Sequence, residues 1–136
     1  MKKTLFVILL LLLCSSFADA QTITWHNRTT ATMTWDAVPK VNAADNANQY
    51  QVLWRTDLVS AGTQVGSPIT ATQMALTIPV DVKYYFGVKA LRYQGGVKTA
   101  ESSVAWSSDP VATANSPWGF DTTRAPLMPS NIRLLP

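Results

Sequence analysis

The chain is short of the residues that carry most chemistry. It has one cysteine, Cys14, and one histidine, His26, in 136 residues, and only 14% of it is charged. Each shortage excludes something. Cys14 lies in an N-terminal leader, so what remains has no disulfide, no thiol nucleophile and no thiolate metal site. A single histidine does not make an imidazole metal centre, which needs further ligands. Nor does it make a catalytic dyad, which needs a nucleophile and an orienting group. The formal charge of +3 comes with no basic run, so neither nucleic acid nor an anionic membrane is implied as a partner. There is no glycine-rich phosphate cradle and no Gly-x-Ser-x-Gly elbow.

The leader is the first positive signal. Lys2 and Lys3 precede an unbroken apolar run, Leu5 to Leu13, and Ala18-Asp19-Ala20 is a small-x-small cleavage site. This is the pattern of a secretory signal peptide over residues 1–20, with cleavage before Gln21. The run is about half the length that spans a bilayer, so no membrane insertion is expected after cleavage. A bacterial lipoprotein signal resembles Leu-x-Gly/Ala-Cys, and the bulky Leu13 ahead of Cys14 departs from it. The expected address is bacterial and secreted, periplasmic or extracellular. Residues 21–136 suffice for one domain with a modest core held by packing alone.

What the chain has in quantity is alternation. Lys83 to Arg92 places Tyr84, Phe86, Val88 and Ala90 on one face against Tyr85, Gly87, Lys89 and Leu91 on the other. A period of two is the mark of a strand with one face in a core. Ala31, Met33 and Trp35 alternate with threonines over Thr30 to Ala37, and Val38-Pro39 ends that strand. Tyr50, Val52 and Trp54 oppose Gln51, Leu53 and Arg55 over Gln49 to Thr56. A short first strand is expected over Gln21–His26 and an edge strand with a turn over Asp57–Gly66. Pro68 to Pro79 gives a further inner strand through Met74, Leu76 and Ile78, and Val97 to Trp106 gives a last one after the Gly95-Gly96 hairpin. Lys40 to Asn48 reads as a loop. Seven strands without helical periodicity predict an all-β, two-sheet sandwich over residues 21–108.

Residues 109–136 change in character. Pro110, Pro117, Pro126, Pro129 and Pro136 punctuate a stretch that also holds Trp118, Phe120, Leu127, Met128, Ile132, Leu134 and Leu135. Proline keeps such a segment extended, and it is too apolar for an ordinary solvated tail. The expectation is an extended Pro-rich tail that packs on its own domain or on a neighbour.

The strands resemble a fibronectin type III domain, a seven-stranded immunoglobulin-like β-sandwich. Met33-Thr34-Trp35-Asp36-Ala37-Val38-Pro39 looks like that family's second strand, with its buried tryptophan at Trp35. Tyr50-x-Val52-x-Trp54 looks like the third. Ile78 with Tyr84 six residues on resembles the tyrosine-corner spacing, and Tyr84-x-Phe86-x-Val88-x-Ala90 the sixth strand. Pro79 comes one place earlier than the family's corner proline. The resemblance covers about residues 22–108 and rests on core positions, so it implies a fold. It also implies a non-catalytic adhesion, spacer or binding module. The Tyr93–Val97 loop has no Arg-Gly-Asp, which removes the integrin type of adhesion. Pro126 to Leu135 looks faintly like the start of a following module.

No catalytic, metal or cofactor site is expected. Asp36, Asp45, Asp57, Asp81, Glu101, Asp109 and Asp121 form no recognisable acid–base pair, although glycoside cleavage needs only two carboxylates. Asp45 with Asn42, Asn46 and Asn48 lacks EF-hand spacing and offers one carboxylate for calcium. Asn27-Arg28-Thr29 fits an N-glycosylation pattern, which a bacterial address makes idle. The aromatics outside the expected core remain. Tyr93, Trp106, Trp118 and Phe120 are the candidate partner-binding residues, for another protein or a self-assembly contact through the tail. A glycan stacked on surface rings is the alternative.

Overall fold

The computed structural model describes residues 22–41 and 48–123. The described chain is all-β, with nine strands and no helix. In order these are β1 (Thr24–His26), β2 (Thr30–Thr34), β3 (Gln49–Arg55), β4 (Thr63–Ile69), β5 (Gln73–Thr77), β6 (Lys83–Gln94), β7 (Val97–Glu101), β8 (Ala105–Trp106) and β9 (Trp118–Asp121). They form two sheets. The larger has seven strands, ordered β1-β9-β6-β3-β4, with β7 and β8 also paired to β6; the smaller is β2-β5. The expected count of seven is exceeded because the last strand breaks into β7 and β8, and because Trp118–Asp121, within the expected tail, forms β9.

The alternating stretch that dominates the sequence becomes β6, the longest strand. One of its edges pairs with β3 throughout, from Gln49↔Leu91 to Arg55↔Tyr85. Its other edge is shared by three short strands. β7 takes Leu91 to Gln94, β8 takes Gly87 and Val88, and β9 takes Lys83 and Tyr84. Two serines satisfy β6 where one partner hands over to the next. Ser102 donates its N–H to Ala90 C=O (2.9 Å), and its Oγ accepts from Ala90 N–H (3.0 Å). Ser107 does the same for Phe86, at 2.7 Å and 3.1 Å. Ser107 C=O then accepts from Trp118 N–H at 2.8 Å and so starts β9.

One core lies between the sheets. Met33 and Leu76 come from the small sheet and Val52, Tyr84, Phe86 and Phe120 from the large one, with Ile78 just beyond β5. Phe86 is 1% exposed and meets Phe120 edge-on at 5.7 Å; Tyr84 stacks on Trp54 at 4.7 Å and 14°. The expected inner positions of β3 and β6 therefore face this core. Residues expected on the outer face are buried as well: Gln51, Leu53, Tyr85 and Leu91. Part of the reason is a second layer of rings. Trp25 packs on Tyr85 at 5.3 Å, and Trp106 lies over Gly87, each roofed by a cation, Lys83 and Arg55 respectively. Gln51 sits where the β3–β4 register shifts, and its Nε2 donates to the Val52, Val65 and Gly66 carbonyls.

Beyond Ser108, where the sandwich was expected to end, the chain stays in the fold. Residues 109–116 turn back on themselves through Asp109 and Pro110 carbonyls, and β9 then enters the large sheet between β6 and β1. β1 runs parallel to β9, with Trp25 opposite Gly119. A β-carbon at Gly119 would lie 2.8 Å from the Trp25 ring, so glycine is what lets this ring close over the strand. The leader 1–20 and residues 124–136 lie outside the described residues.

Two substitutions probe this framework. Tyr84→Ala removes the ring stacked on Trp54, and its expected cost is about 3–5 kcal/mol in a denaturant titration; wild-type stability would contradict the core assignment. Ser107→Ala leaves the buried Phe86 N–H without its hydroxyl acceptor and should cost about 1–3 kcal/mol. Ser102→Ala, at an exposed hydrogen bond, should cost clearly less. Equal losses would show that the buried handover is not special.

Candidate functional site

The two sheets differ in width, and this creates the site. β2 covers the face of β6 only in part, and among the described residues nothing pairs with its far edge. A cleft of about 570 Å³ opens there. One wall is Met33, Thr34, Trp35 and Asp36; the other includes Val88, Ala90 and Ser102, and Trp118 lies at one end. The side chains are largely apolar and small on the β6 wall. Asp36 is the charged residue among those lining it.

The backbone along this opening can be assigned. Ile78 N–H donates to Thr29 C=O and Trp35 N–H to Thr72 C=O, so the odd positions of β2 turn their amides to β5. In a strand the direction alternates, and the amides and carbonyls of Thr30, Thr32 and Thr34 therefore point to the open edge. The exit from β2 is fixed separately. The Tyr50 hydroxyl accepts from Val38 N–H at 2.8 Å, and Asn48 Nδ2 donates to Val38 C=O at 2.6 Å. Trp35, expected as a buried core residue, is half-buried and packs on Tyr50 at 5.6 Å while lining the cleft. Its indole Nε1–H is shielded from solvent and has no acceptor among the described residues.

The four aromatic candidates fall in three places. Phe120 is 4% exposed, inside the core, and so is not a surface contact. Trp118 meets it edge-on at 5.6 Å and reaches the cleft. Trp106 is among the residues that line the cleft, but its ring lies over Gly87 with the Arg55 guanidinium 4.0 Å above it. Tyr93 is half-exposed near the β6–β7 hairpin. They do not make one flat platform: Trp118 and Phe120 stand at 81° to each other, and Trp106 is capped. The cleft residues were not singled out from the sequence, because Val88, Ala90 and Met33 carry the same alternation as fully covered positions.

Asp36 apart, no charged residue lines the cleft. Hydrogen bonds from Lys98 and Lys89 hold the Glu101 carboxyl below its usual range, and the Ser60 and Val59 amides do the same for Asp57. Burial lowers the pKa of Arg55 and raises that of Tyr85. Arg55 donates to Ser108 Oγ at 3.0 Å, which ties β3 to the end of the Trp106 segment. His26 packs between Trp118 and Phe120 as an aromatic neighbour. No group of three or more His, Cys, Asp or Glu able to hold a metal occurs among the described residues. No described helix is long and apolar enough to cross a membrane. Asp45, weighed for calcium, lies outside the described residues.

Compared with known proteins, the chain matches no family model and no curated sequence.

Gly87 gives a check on the geometry. A β-carbon at Gly87 would come within 2.6 Å of both the Trp106 ring and Val104. Gly87→Ala should therefore displace Trp106, destabilise the protein by about 1–3 kcal/mol, and red-shift tryptophan emission. An unchanged emission maximum and midpoint would contradict the placement of Trp106.

Proposed function

We propose that this chain is a secreted, non-catalytic interaction module, with a fibronectin type III-like sandwich that binds an extended segment of a protein partner. The leader over residues 1–20 supports export. The observation that carries the reading is the open edge of β2, where the outward backbone groups of Thr30, Thr32 and Thr34 form one row that ends, at Thr34, beside an apolar cleft. An added strand uses main-chain hydrogen bonds for affinity and alternate side-chain pockets for specificity. The edge is suited to it. Sheet edges are commonly blunted by Lys, Pro or a bulge, and Thr-Ala-Thr-Met-Thr has none of these.

The test uses tagged chain from Gln21 onward as bait against envelope and culture fractions of the source organism. Wild type should retain a partner, and Thr32→Pro should lose it. That substitution removes a donor from the open edge and leaves the β5 ladder intact. Retention that is equal in Thr32→Pro, with the variant folded, would place binding elsewhere and overturn the reading.

A further inference from the structure

We propose that the open edge of β2 is occupied by the chain's own tail: residues 130–135 run beside Ala31–Asp36 of the same molecule and close the cleft. A partner strand then enters by displacing them, a clause that rests on the interaction-module reading above.

The exit of the chain from the large sheet sets this up. Thr122 Oγ1 donates to the Pro79 C=O at 2.9 Å, and Ile78, next to Pro79, donates its N–H to Thr29 C=O at 2.8 Å. Thr123, the last described residue, is therefore released beside the start of β2. β2 leads from there to the cleft, which Met33 and Thr34 line together with Trp35 and Asp36. Packed sheets lie about 10 Å apart. Residues 124–129 reach about 20 Å when straight, so they suffice to leave β9, cross to β2 and turn. The path from Ala31 to Asp36 then spans about 17 Å at ~3.3 Å per residue, which residues 130–135 match position for position. The tail runs in the direction of β2, as a parallel strand.

The tail sequence fits one register. Ser130-Asn131-Ile132-Arg133-Leu134-Leu135 is bracketed by Pro129 and Pro136. Ile132 and Leu134 share a face at strand spacing, and Arg133 takes the other. Placing Ile132 beside Met33 and Leu134 beside Trp35 turns both toward the trough that Val88 and Ala90 line. The outward amides of Thr32 and Thr34 then donate to the carbonyls of residues 130 and 132, and their carbonyls accept from the amides of 132 and 134. Neither proline is asked for a donor. Arg133 falls beside Thr34, on the face that Asp36 shares two residues on. It is the one charged side chain in residues 125–136, and Asp36 is the one charged residue lining the cleft. A tethered segment within reach acts at an effective concentration of about the millimolar order, which selects the chain's own tail over a second copy.

Hydrogen exchange on chain from Gln21 onward tests this. In wild type the Thr32 and Thr34 amides should be protected equally at low and high protein concentration, as a contact within one molecule requires. Ile132→Asp/Leu134→Asp should speed exchange of both by about tenfold or more. Ala31 and Met33, whose amides face β5, should keep their protection and so report an intact fold. Leu127→Asp/Met128→Asp, in the connection, should behave as wild type. Free exchange of Thr32 and Thr34 in wild type overturns the proposal. So does equal protection in the Ile132/Leu134 variant, or protection that appears only at high concentration. Displacement is read from the bait experiment: the Ile132/Leu134 variant should hold the partner about tenfold more tightly where the tail is in place nine-tenths of the time. Equal retention by both chains overturns the displacement. Retention that depends on Thr32, with Thr32 and Thr34 exchanging freely in wild type, removes this inference and leaves the interaction-module reading standing. Tail-dependent protection with no partner retained by either chain keeps the tail on β2 and overturns that reading instead.

Discussion

The fold depends on keeping every backbone group of β6 bonded on both edges. β3 supplies one edge in a continuous register. The other is assembled from three pieces that are far apart in sequence, and each join would leave a peptide unit without a partner. Buried amides and carbonyls do not tolerate that. Ser102 and Ser107 resolve it in the same way, each matching a main-chain N–H and a hydroxyl oxygen to one residue of β6. Ser107 further passes its carbonyl to Trp118, which sets where β9 begins. The position of Phe120 in the core thus follows from a hydrogen-bonding requirement at Phe86.

The same strand is enclosed on both faces by different means. On the inner face, Phe86 and Tyr84 contact the small sheet and β9 through packed rings. On the outer face no further sheet is present among the described residues; Trp25, tilted at 52° to Tyr85, packs against that ring, and Trp106 lies over Gly87. Glycine at 87 and 119 gives those rings their approach, and Lys83 and Arg55 complete the cover with aliphatic stems and cationic heads. A domain without disulfides gains tertiary packing from both sides of its large sheet, although its second sheet has only two strands.

Much of the large sheet is legible in the sequence because its strands announce themselves locally. Tyr50-x-Val52-x-Trp54 and Tyr84-x-Phe86-x-Val88 state their inner face by alternation, and the structure keeps that face. Alternation fails at Gln51, Leu53 and Tyr85, where the outer positions are also buried; cover by distant rings and a register shift leaves no period-two trace. β9 is illegible for another reason. Trp118-Gly119-Phe120-Asp121 is four residues after a proline, and its pairing with β1 is parallel and joins opposite ends of the described chain. The cleft is harder still, since it is made by the absence of a neighbour to β2 among the described residues. No residue within Thr30–Thr34 encodes that; it follows from β1 pairing with β9.

That diversion of β1 links the cover of one face to the opening of the other. A strand preceding β2 by three residues would ordinarily pair with it, as consecutive strands commonly do. Here it joins the opposite sheet, where Trp25 is needed over Tyr85 and Gly119. Covering the outer face of β6 therefore uncovers the inner face at Val88 and Ala90 and leaves the β2 edge open. The other edge of the small sheet approaches β4, where Met74 is placed within 3.4 Å of where a Gly66 β-carbon would be. The two ends of the small sheet are thus unequal, and the apolar trough is confined to one. Uncharged threonines along that edge raise no barrier to pairing, and its amides lie in a regular row fixed by the β5 ladder behind them. The edge is open, uncharged over Thr30–Thr34 and apolar on its inner side, and the arrangement that made it so is the one that closed the opposite face.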